Sequence, residues 1–402
     1  MLLLVGCGGS QNAPPPPAPA TCSLPEGFAL GAPVSAPRET WTWVSVPGTR
    51  CRNGATSGFG INPRAGSKKL LIYLEGGGAC FNPATCATND DGRVATGPNV
   101  EYYGNAGKLF PAGFNRNDAE NPFRDFNFVY VPYCTGDVHA GSNAAGPGSD
   151  GQFHVGFVNV RRDLERIVST FPDPEQVVLA GFSAGGYGAQ VNFNQVQHAF
   201  GCNARVDLLV DSAPLLGNDV LAPCLQSAWR ARFDLGPAIP ADCPECDERT
   251  GGSLAALTAW NAKAFPKSRQ ALLDGVTDDV MRYFFSFGYD FSKSPPVMRP
   301  ATPACPGLDL SPAQAAPLRV PADDYATGLS NLVRGMSGHA NFHAFGFPTN
   351  RHGVVDPAFW NVTIDARSDL DEKTPIRKVT ARQWLTQMVS GDAAWVDAVP
   401  VN

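Results

Sequence analysis

Ser183 stands in the stretch Gln176-Val177-Val178-Leu179-Ala180-Gly181-Phe182-Ser183-Ala184-Gly185-Gly186-Tyr187-Gly188. An apolar run meets a Gly-x-Ser-x-Gly turn, and a proline-free segment from Tyr187 to His198 follows as a helix. Small residues on both sides of the serine permit the sharp turn that lifts Oγ clear of a sheet and leaves the next backbone N–H free to hold an oxyanion. The other reading is a tight strand-to-helix turn whose serine only caps the helix. A second glycine loop argues against it.

That loop is Leu70-Leu71-Ile72-Tyr73-Leu74-Glu75-Gly76-Gly77-Gly78-Ala79-Cys80, a strand ending in three glycines. Attack on an ester carbonyl places negative charge on oxygen, and each preorganised N–H that holds it is worth about 2.7–4 kcal/mol. In an α/β-hydrolase arrangement one donor follows the nucleophile, here Ala184, and the other comes from a glycine loop after an earlier strand, here Gly77 or Gly78. Glycine suits a backbone that must approach substrate closely.

A hydrolytic serine needs a base, and imidazole is the side chain that takes and returns a proton near neutral pH. The histidines are His139, His154, His198, His339, His343 and His352. His198 falls at the end of the helix after the elbow, and His343 alternates with Phe342 and Ala344 as a strand residue. His339 flanks the same strand. His352, in Phe347-Pro348-Thr349-Asn350-Arg351-His352-Gly353, follows the last strand and is the candidate base, with His139 in reserve on the loop after Phe128 to Tyr133. The acid should lie between serine and histidine in the chain. Ala271-Leu272-Leu273-Asp274-Gly275-Val276-Thr277-Asp278-Asp279-Val280 offers three carboxylates at a strand end, and Asp211 ends another strand. Asp211 also suits a role in hydrogen bonding to loop backbone. Asp137 suits fixing the loop after Cys134, and Glu75 suits bracing the glycine loop from beneath.

With these residues in hand the chain resembles the pectin acetylesterase and Notum family of carboxylesterases. The match rests on Leu74-Glu75-Gly76-Gly77-Gly78-Ala79-Cys80-Phe81-Asn82, on Val131-Pro132-Tyr133-Cys134-Thr135-Gly136-Asp137-Val138-His139-Ala140-Gly141, on the Ser183 elbow, and on a looser part around Asp278 and His352. It spans roughly residues 40 to 390. The resemblance implies a Ser183, His352 and Asp278 triad, an oxyanion hole from Gly77 or Gly78 with Ala184, and disulfides Cys80 to Cys86 and Cys51 to Cys134. It also implies hydrolysis of O-acylated polysaccharide such as pectin, or of a small acyl ester, through an acyl-enzyme. No metal or organic cofactor enters this chemistry. The family often carries tryptophan after the paired glycines where this chain has Gly78, which reshapes the acyl side and favours short acyl groups over lipid-modified protein. Competing readings are a lipase or polyester depolymerase on the same triad, and a surface binding module that keeps the scaffold without turnover.

The 31 basic and 37 acidic residues leave a formal charge of −6, which excludes a basic nucleic-acid surface. Eleven cysteines point to an oxidising compartment, with Cys7 apart and ten left to pair. Leu2-Leu3-Leu4-Val5-Gly6-Cys7 resembles a bacterial lipobox, so Cys7 is a candidate lipidation site and a start upstream of Met1 is expected. Gly8 to Ala20, with its run Pro14 to Pro17, reads as an extended tether. The expected organisation is a truncated lipoprotein signal and tether over residues 1–21 and an esterase domain over 22–402, in the cell envelope or outside the cell, touching membrane only through that anchor. Cys22, Cys202, Cys224, Cys243, Cys246 and Cys305 cannot be paired from sequence, although Cys243-Pro244-Glu245-Cys246, lacking a second half-site, favours a disulfide over zinc. Asn361-Val362-Thr363 fits a glycosylation acceptor, without consequence in a bacterial lipoprotein.

Positioning a serine, an acid and a base from such distant segments requires strand ends that converge. Patterning predicts strands near 41–47, 69–75, 127–133, 176–182, 206–211, 270–274 and 341–347, and helices near 155–170, 184–199, 252–264, 277–285, 322–335 and 380–390. Alternating strands and helices predict an α/β-hydrolase-like fold, a mainly parallel sheet with helices on both faces and disulfide staples.

Overall fold

The computed structural model describes residues 24, 27–89, 112–145, 151–201, 204–299, 305–371 and 373–400. Cys7, the tether, Cys22 and Cys202 lie outside them.

Successive side chains of a strand point to opposite faces, so continuously apolar strands must be covered on both. The strand Lys69–Leu74 sends Leu70, Ile72 and Leu74 into one core and Leu71 and Tyr73 into the other. Gln176–Phe182 does the same with Val177 and Leu179 against Val178 and Ala180. The central sheet has eight strands: β1 Thr42–Ser45, β2 Gly58–Asn62, β3 Lys69–Leu74, β4 Asn127–Val131, β5 Gln176–Phe182, β6 Arg205–Asp211, β7 Gln270–Gly275 and β8 Phe342–Phe347. Their order is β1-β2-β4-β3-β5-β6-β7-β8. From β4 to β8 every pairing is parallel, and β2 runs antiparallel to both of its neighbours. This is the α/β-hydrolase-like sheet.

The main helices are α1 Pro83–Asn89, α2 Gly156–Thr170, α3 Ala184–Phe200, α4 Pro223–Phe233, α5 Ala256–Ala264, α6 Asp279–Ser286, α7 Ala322–Gly335 and α8 Ala381–Ser390. Val160, Val191, Leu225, Leu257, Phe285 and Tyr325 carry α2 to α7 onto one face, while Trp384, Leu385 and Met388 carry α8 onto the other. A capping box between Thr380 and Gln383 starts α8, and Gly391 at φ 81° ends it.

All seven predicted strands and all six predicted helices are present, most with shifted ends. β4 stops at Val131 because Pro132 cannot donate to the ladder. α6 starts at Asp279 rather than 277, since Asp278 caps it through its side chain. Patterning overlooked β2, whose sequence Gly58-Phe59-Gly60-Ile61-Asn62 lacks strand propensity yet is fully buried between β1 and β4. It also overlooked α4 and a small sheet of Thr363–Arg367, Arg377–Thr380 and Val399–Pro400.

Disulfides join Cys51 to Cys134, Cys80 to Cys86, Cys224 to Cys305 and Cys243 to Cys246. The Cys-Pro-Glu-Cys segment is therefore a bridged turn rather than half of a zinc site. Such bridges belong to an oxidising compartment. Among the described residues no helix is long and apolar enough to cross a membrane.

Candidate active site

Because β3, β5, β6, β7 and β8 are parallel neighbours, their C-terminal ends share one edge of the sheet. The glycine loop follows Leu74 there, Ser183 follows Phe182, Asp211 ends β6, Asp278 follows Gly275, and His352 follows Phe347.

Ser183 joins β5 to α3 at φ 55° and ψ −123°, a region that costs a non-glycine residue about 1–3 kcal/mol. Surrounding structure imposes it. The Ser183 N–H donates to the carbonyl of Asp211 at 2.8 Å, and the Ser183 carbonyl accepts from Gly186 at 2.9 Å. A Cβ on Gly181 would strike the carbonyl of Gly185, and one on Gly185 would strike the carbonyl of Leu74, so both glycines are required by backbone contact. Ala184 opens α3, where its N–H has no intrahelical acceptor and the helix dipole favours negative charge.

The glycine loop is braced by the segment after β4. Glu75 accepts the N–H of Tyr133 through Oε2 at 2.8 Å, and its carbonyl meets His139 Nε2 at 2.8 Å. The Tyr133 hydroxyl donates to the Gly78 carbonyl at 2.9 Å and accepts from the Val138 N–H at 2.7 Å. Gly77 and Gly78 have φ of 156° and 79°, and the value at Gly78 lies well inside the region that favours glycine. Of the two, Gly78 lines the cavity beside Ser183 together with Ala184. Asp137 is buried and takes N–H groups of His139, Gly141 and Gly156, while burial raises its carboxyl to about 6 against the hydrogen bonds from Thr135 and Gly156 that lower it. Burial lowers the imidazole of His139 to about 4, so it is neutral and lies beneath the loop. It is a brace, which corrects its place as reserve base.

His352 Nδ1 lies 2.7 Å from Asp278 Oδ2. A carboxylate only accepts, so Nδ1 carries the hydrogen and Nε2 is left as the acceptor of the neutral ring. Nε2 is buried and has no hydrogen-bond partner among the described residues. The ring packs on Phe182, the neighbour of Ser183, with centroids 4.7 Å apart. Asp278 is fully buried, and its Oδ1 accepts the N–H groups of Val280 and Met281 at 2.8 and 2.9 Å as the N-cap of α6. Asp279, the rival neighbour, instead pairs with Arg282 at 2.7 Å and with Asn350. His198 is exposed on the last turn of α3, and His343 sits on β8 against Trp395.

Asp211 ties the two halves together. Its carboxylate accepts the N–H of Val354 at 2.9 Å and of Val355 at 2.8 Å, and Ser212 Oγ accepts the N–H of Gly353 at 2.9 Å. Burial raises the Asp211 carboxyl and those N–H donors oppose the rise. Ser212, itself at φ 55°, escaped the sequence reading, although a polar pair ending so apolar a strand was a visible signal.

Beside Ser183 a cavity of about 60 Å³ is walled by Gly78, Val138, Tyr187, Trp229, Met281 and Phe284 among other apolar residues. Trp229 comes from α4, the overlooked helix, so an aromatic wall reaches this pocket from a segment far from the glycine loop.

The pectinacetylesterase family profile matches residues 41–222. An inactive palmitoleoyl-protein carboxylesterase notum1b from Danio rerio is 34% identical over 113 residues, which cover 27% of this chain and 76% of that protein. The chain belongs to the pectin acetylesterase and Notum family. A second relative in that family, palmitoleoyl-protein carboxylesterase notum2 from Xenopus laevis, is 34% identical over 36% of this chain and 30% of its own length. The matched stretch is thus less than a third of that relative. The crystal structure of the Wnt deacylase Notum from Drosophila superposes with a TM-score of 0.55, covering 90% of this chain and 96% of the other at 16% identity, a likeness of fold. Members are named as carboxylic ester hydrolases, and because the Danio rerio relative is named inactive, activity has to be argued from residues.

Proposed function

We propose that the chain is a serine carboxylesterase in which Ser183 is the nucleophile, His352 the base and Asp278 the acid. The observation that carries this reading is the 2.7 Å contact from His352 Nδ1 to Asp278 Oδ2, which leaves a buried, unpartnered Nε2 at the sheet edge that holds the strained Ser183. Ser183 Oγ attacks the ester carbonyl while Nε2 takes its proton. The N–H of Ala184 and that of Gly77 or Gly78 hold the oxyanion, and Asp278 stabilises the imidazolium. Collapse expels the alcohol, which takes the proton from Nε2. Water, activated by the same nitrogen, then hydrolyses the acyl-enzyme.

The substrate class is an acetylated polysaccharide such as pectin, or another short acyl ester. The apolar cavity of about 60 Å³ beside Ser183, room for the methyl of an acetyl group, supports this. A second reading, a longer fatty acyl chain, is favoured by the apolar lining that continues to Ile239, Leu254 and Leu257, and would need the pocket to open. Export and lipidation at Cys7 belong to the same proposal, and mass spectrometry of the N-terminal peptide from the native host tests them.

A fluorophosphonate probe should label Ser183, and an acyl series of p-nitrophenyl esters run beside acetylated pectin and xylan should peak at acetate. An unlabelled serine would turn the reading to a binding module. A maximum at long chains with no acetate released would turn it to a lipase.

A further inference from the structure

Behind Asp278 lies a second carboxyl group, that of Asp274, which the reaction above leaves unused. Asp274 is 1% exposed, the last residue but one of β7, and in the turn that follows the Asp278 N–H donates to the Gly275 carbonyl at 3.1 Å. Tyr325 of α7, itself fully buried, donates its hydroxyl to Asp274 Oδ2 at 2.6 Å. Oδ1 is buried, and among the described residues no donor reaches it. Burial, the charge of Asp278 and a hydrogen bond between the two carboxyl side chains are among the causes that raise Asp274.

Two buried carboxylates in contact cannot both be ionised, and a single proton between them turns a repulsion into a hydrogen bond. Their surroundings decide which one holds it. Asp278 receives two N–H groups at the N-terminus of α6 on Oδ1 and the imidazole of His352 on Oδ2, so both of its oxygens already accept. Asp274 faces Asp278 and Asp211, with Tyr325 as its donor, and Tyr187 lies within their field. Asp323, Arg367 and Asp369 line the groove on its other side. Burial first, and the charge of Asp278 second, push the Asp274 carboxyl well above the usual carboxylate range. A protonated Asp274 also accounts for the orphaned oxygen, which becomes a donor.

We propose that Asp274 is a positioning residue, a carboxylic acid that donates an O–H to Asp278 and so holds it in register with His352 Nδ1. The inference rests on the triad reading. Tyr325 fixes the acid from behind, and no proton leaves the pair during turnover, because Asp274 exchanges nothing with substrate.

Infrared difference spectra of wild type against Asp274→Asn read the protonation state without reference to activity. A protonated-carboxyl stretch present at neutral pH in wild type and missing in the variant is the expected result, and its absence overturns the proposal. Asparagine keeps a neutral donor, so D274N should retain kcat/KM within about threefold, with the acid limb of its pH profile moved by less than about 0.3. Removal of an ionised carboxylate would instead move that limb to lower pH by about one unit or more, which counts against the protonated acid. D274A, which leaves Asp278 unsupported, should lose about tenfold in kcat with KM little changed. If D274A does not fold, the spectrum and the pH profile of D274N still decide. Failure of wild type to label at Ser183 would sink the triad reading alone, since the infrared band reports on Asp274 independently.

Discussion

The backbone carbonyl of Asp211 accepts the N–H of Ser183 at 2.8 Å, and the same residue's carboxylate accepts the N–H groups of Val354 and Val355. One residue at the end of β6 thus sets the elbow and the histidine loop relative to each other. Asp211→Ala should orphan two buried donors at about 1–3 kcal/mol each and loosen His352, so thermal stability and kcat both fall. Asp211→Asn keeps one acceptor oxygen and should fall between. Thermal melts beside steady-state kinetics check this, and an Asp211→Ala enzyme with normal kcat would remove the tie from the mechanism.

Ser183→Ala should lower hydrolysis by at least about a thousandfold and abolish fluorophosphonate labelling, with the melting temperature held or slightly raised. The strained backbone remains, because Asp211 and Gly186 hold it rather than the hydroxyl.

Asp278 caps α6 and, in the proposed triad, orients His352, two functions that a pair of variants separates. Asn at this position keeps an acceptor for the Val280 and Met281 N–H groups but loses the charge behind His352, so Asp278→Asn should be stable and slower by about 10⁴-fold. Asp278→Ala should add a cap loss of about 1 kcal/mol to the same defect. His352→Ala should match the kinetic loss, whereas His198→Ala and His343→Ala should not. Equal turnover by Asp278→Asn and wild type would return the acid assignment to Asp279 or Asp274.

The loop beneath Gly76 to Gly78 holds two groups with opposed pH linkage. Burial lowers His139 to about 4 from 6.5, so the unfolded chain binds the extra proton between these values and stability falls as pH drops through that window. Burial raises Asp137 to about 6 from 3.8, so the folded chain binds the extra proton and stability rises as pH drops from 6 toward 4. Each effect is worth about 3 kcal/mol at most, and the two oppose each other in wild type. Denaturant titrations should therefore show His139→Gln gaining relative stability on acidification and Asp137→Asn losing it. Parallel profiles for the two variants would contradict the assignment.

Pocket size should set acyl preference. Trp229→Ala and Phe284→Ala each remove an aromatic wall beside Ser183, so kcat/KM for butyrate and octanoate should rise relative to acetate, by about 1–3 kcal/mol in transition-state discrimination per pocket change. A p-nitrophenyl ester series measures the ratio, and an unchanged ratio would place the acyl chain elsewhere.

The shape of the elbow was legible in the chain because it is local: a strand, two glycines and a serine within a dozen residues leave one backbone path, and backbone collision explains both glycines. The alternation of apolar residues along β3 and β5 likewise determined a two-faced sheet. Choice among distant residues was different in kind. That His352 pairs with Asp278, while Asp279 turns to Arg282 and Asp274 to Tyr325, depends on side chains brought in by α6, α7 and the β8 loop, whose directions no spacing encodes. Nor could periodicity find β2, where burial between two strands overrides poor propensity, or bring Trp229 of α4 to the wall of the pocket. Local sterics act within a few residues and can be read in order, whereas burial and hydrogen-bond partnership are settled only when remote segments compete for the same space.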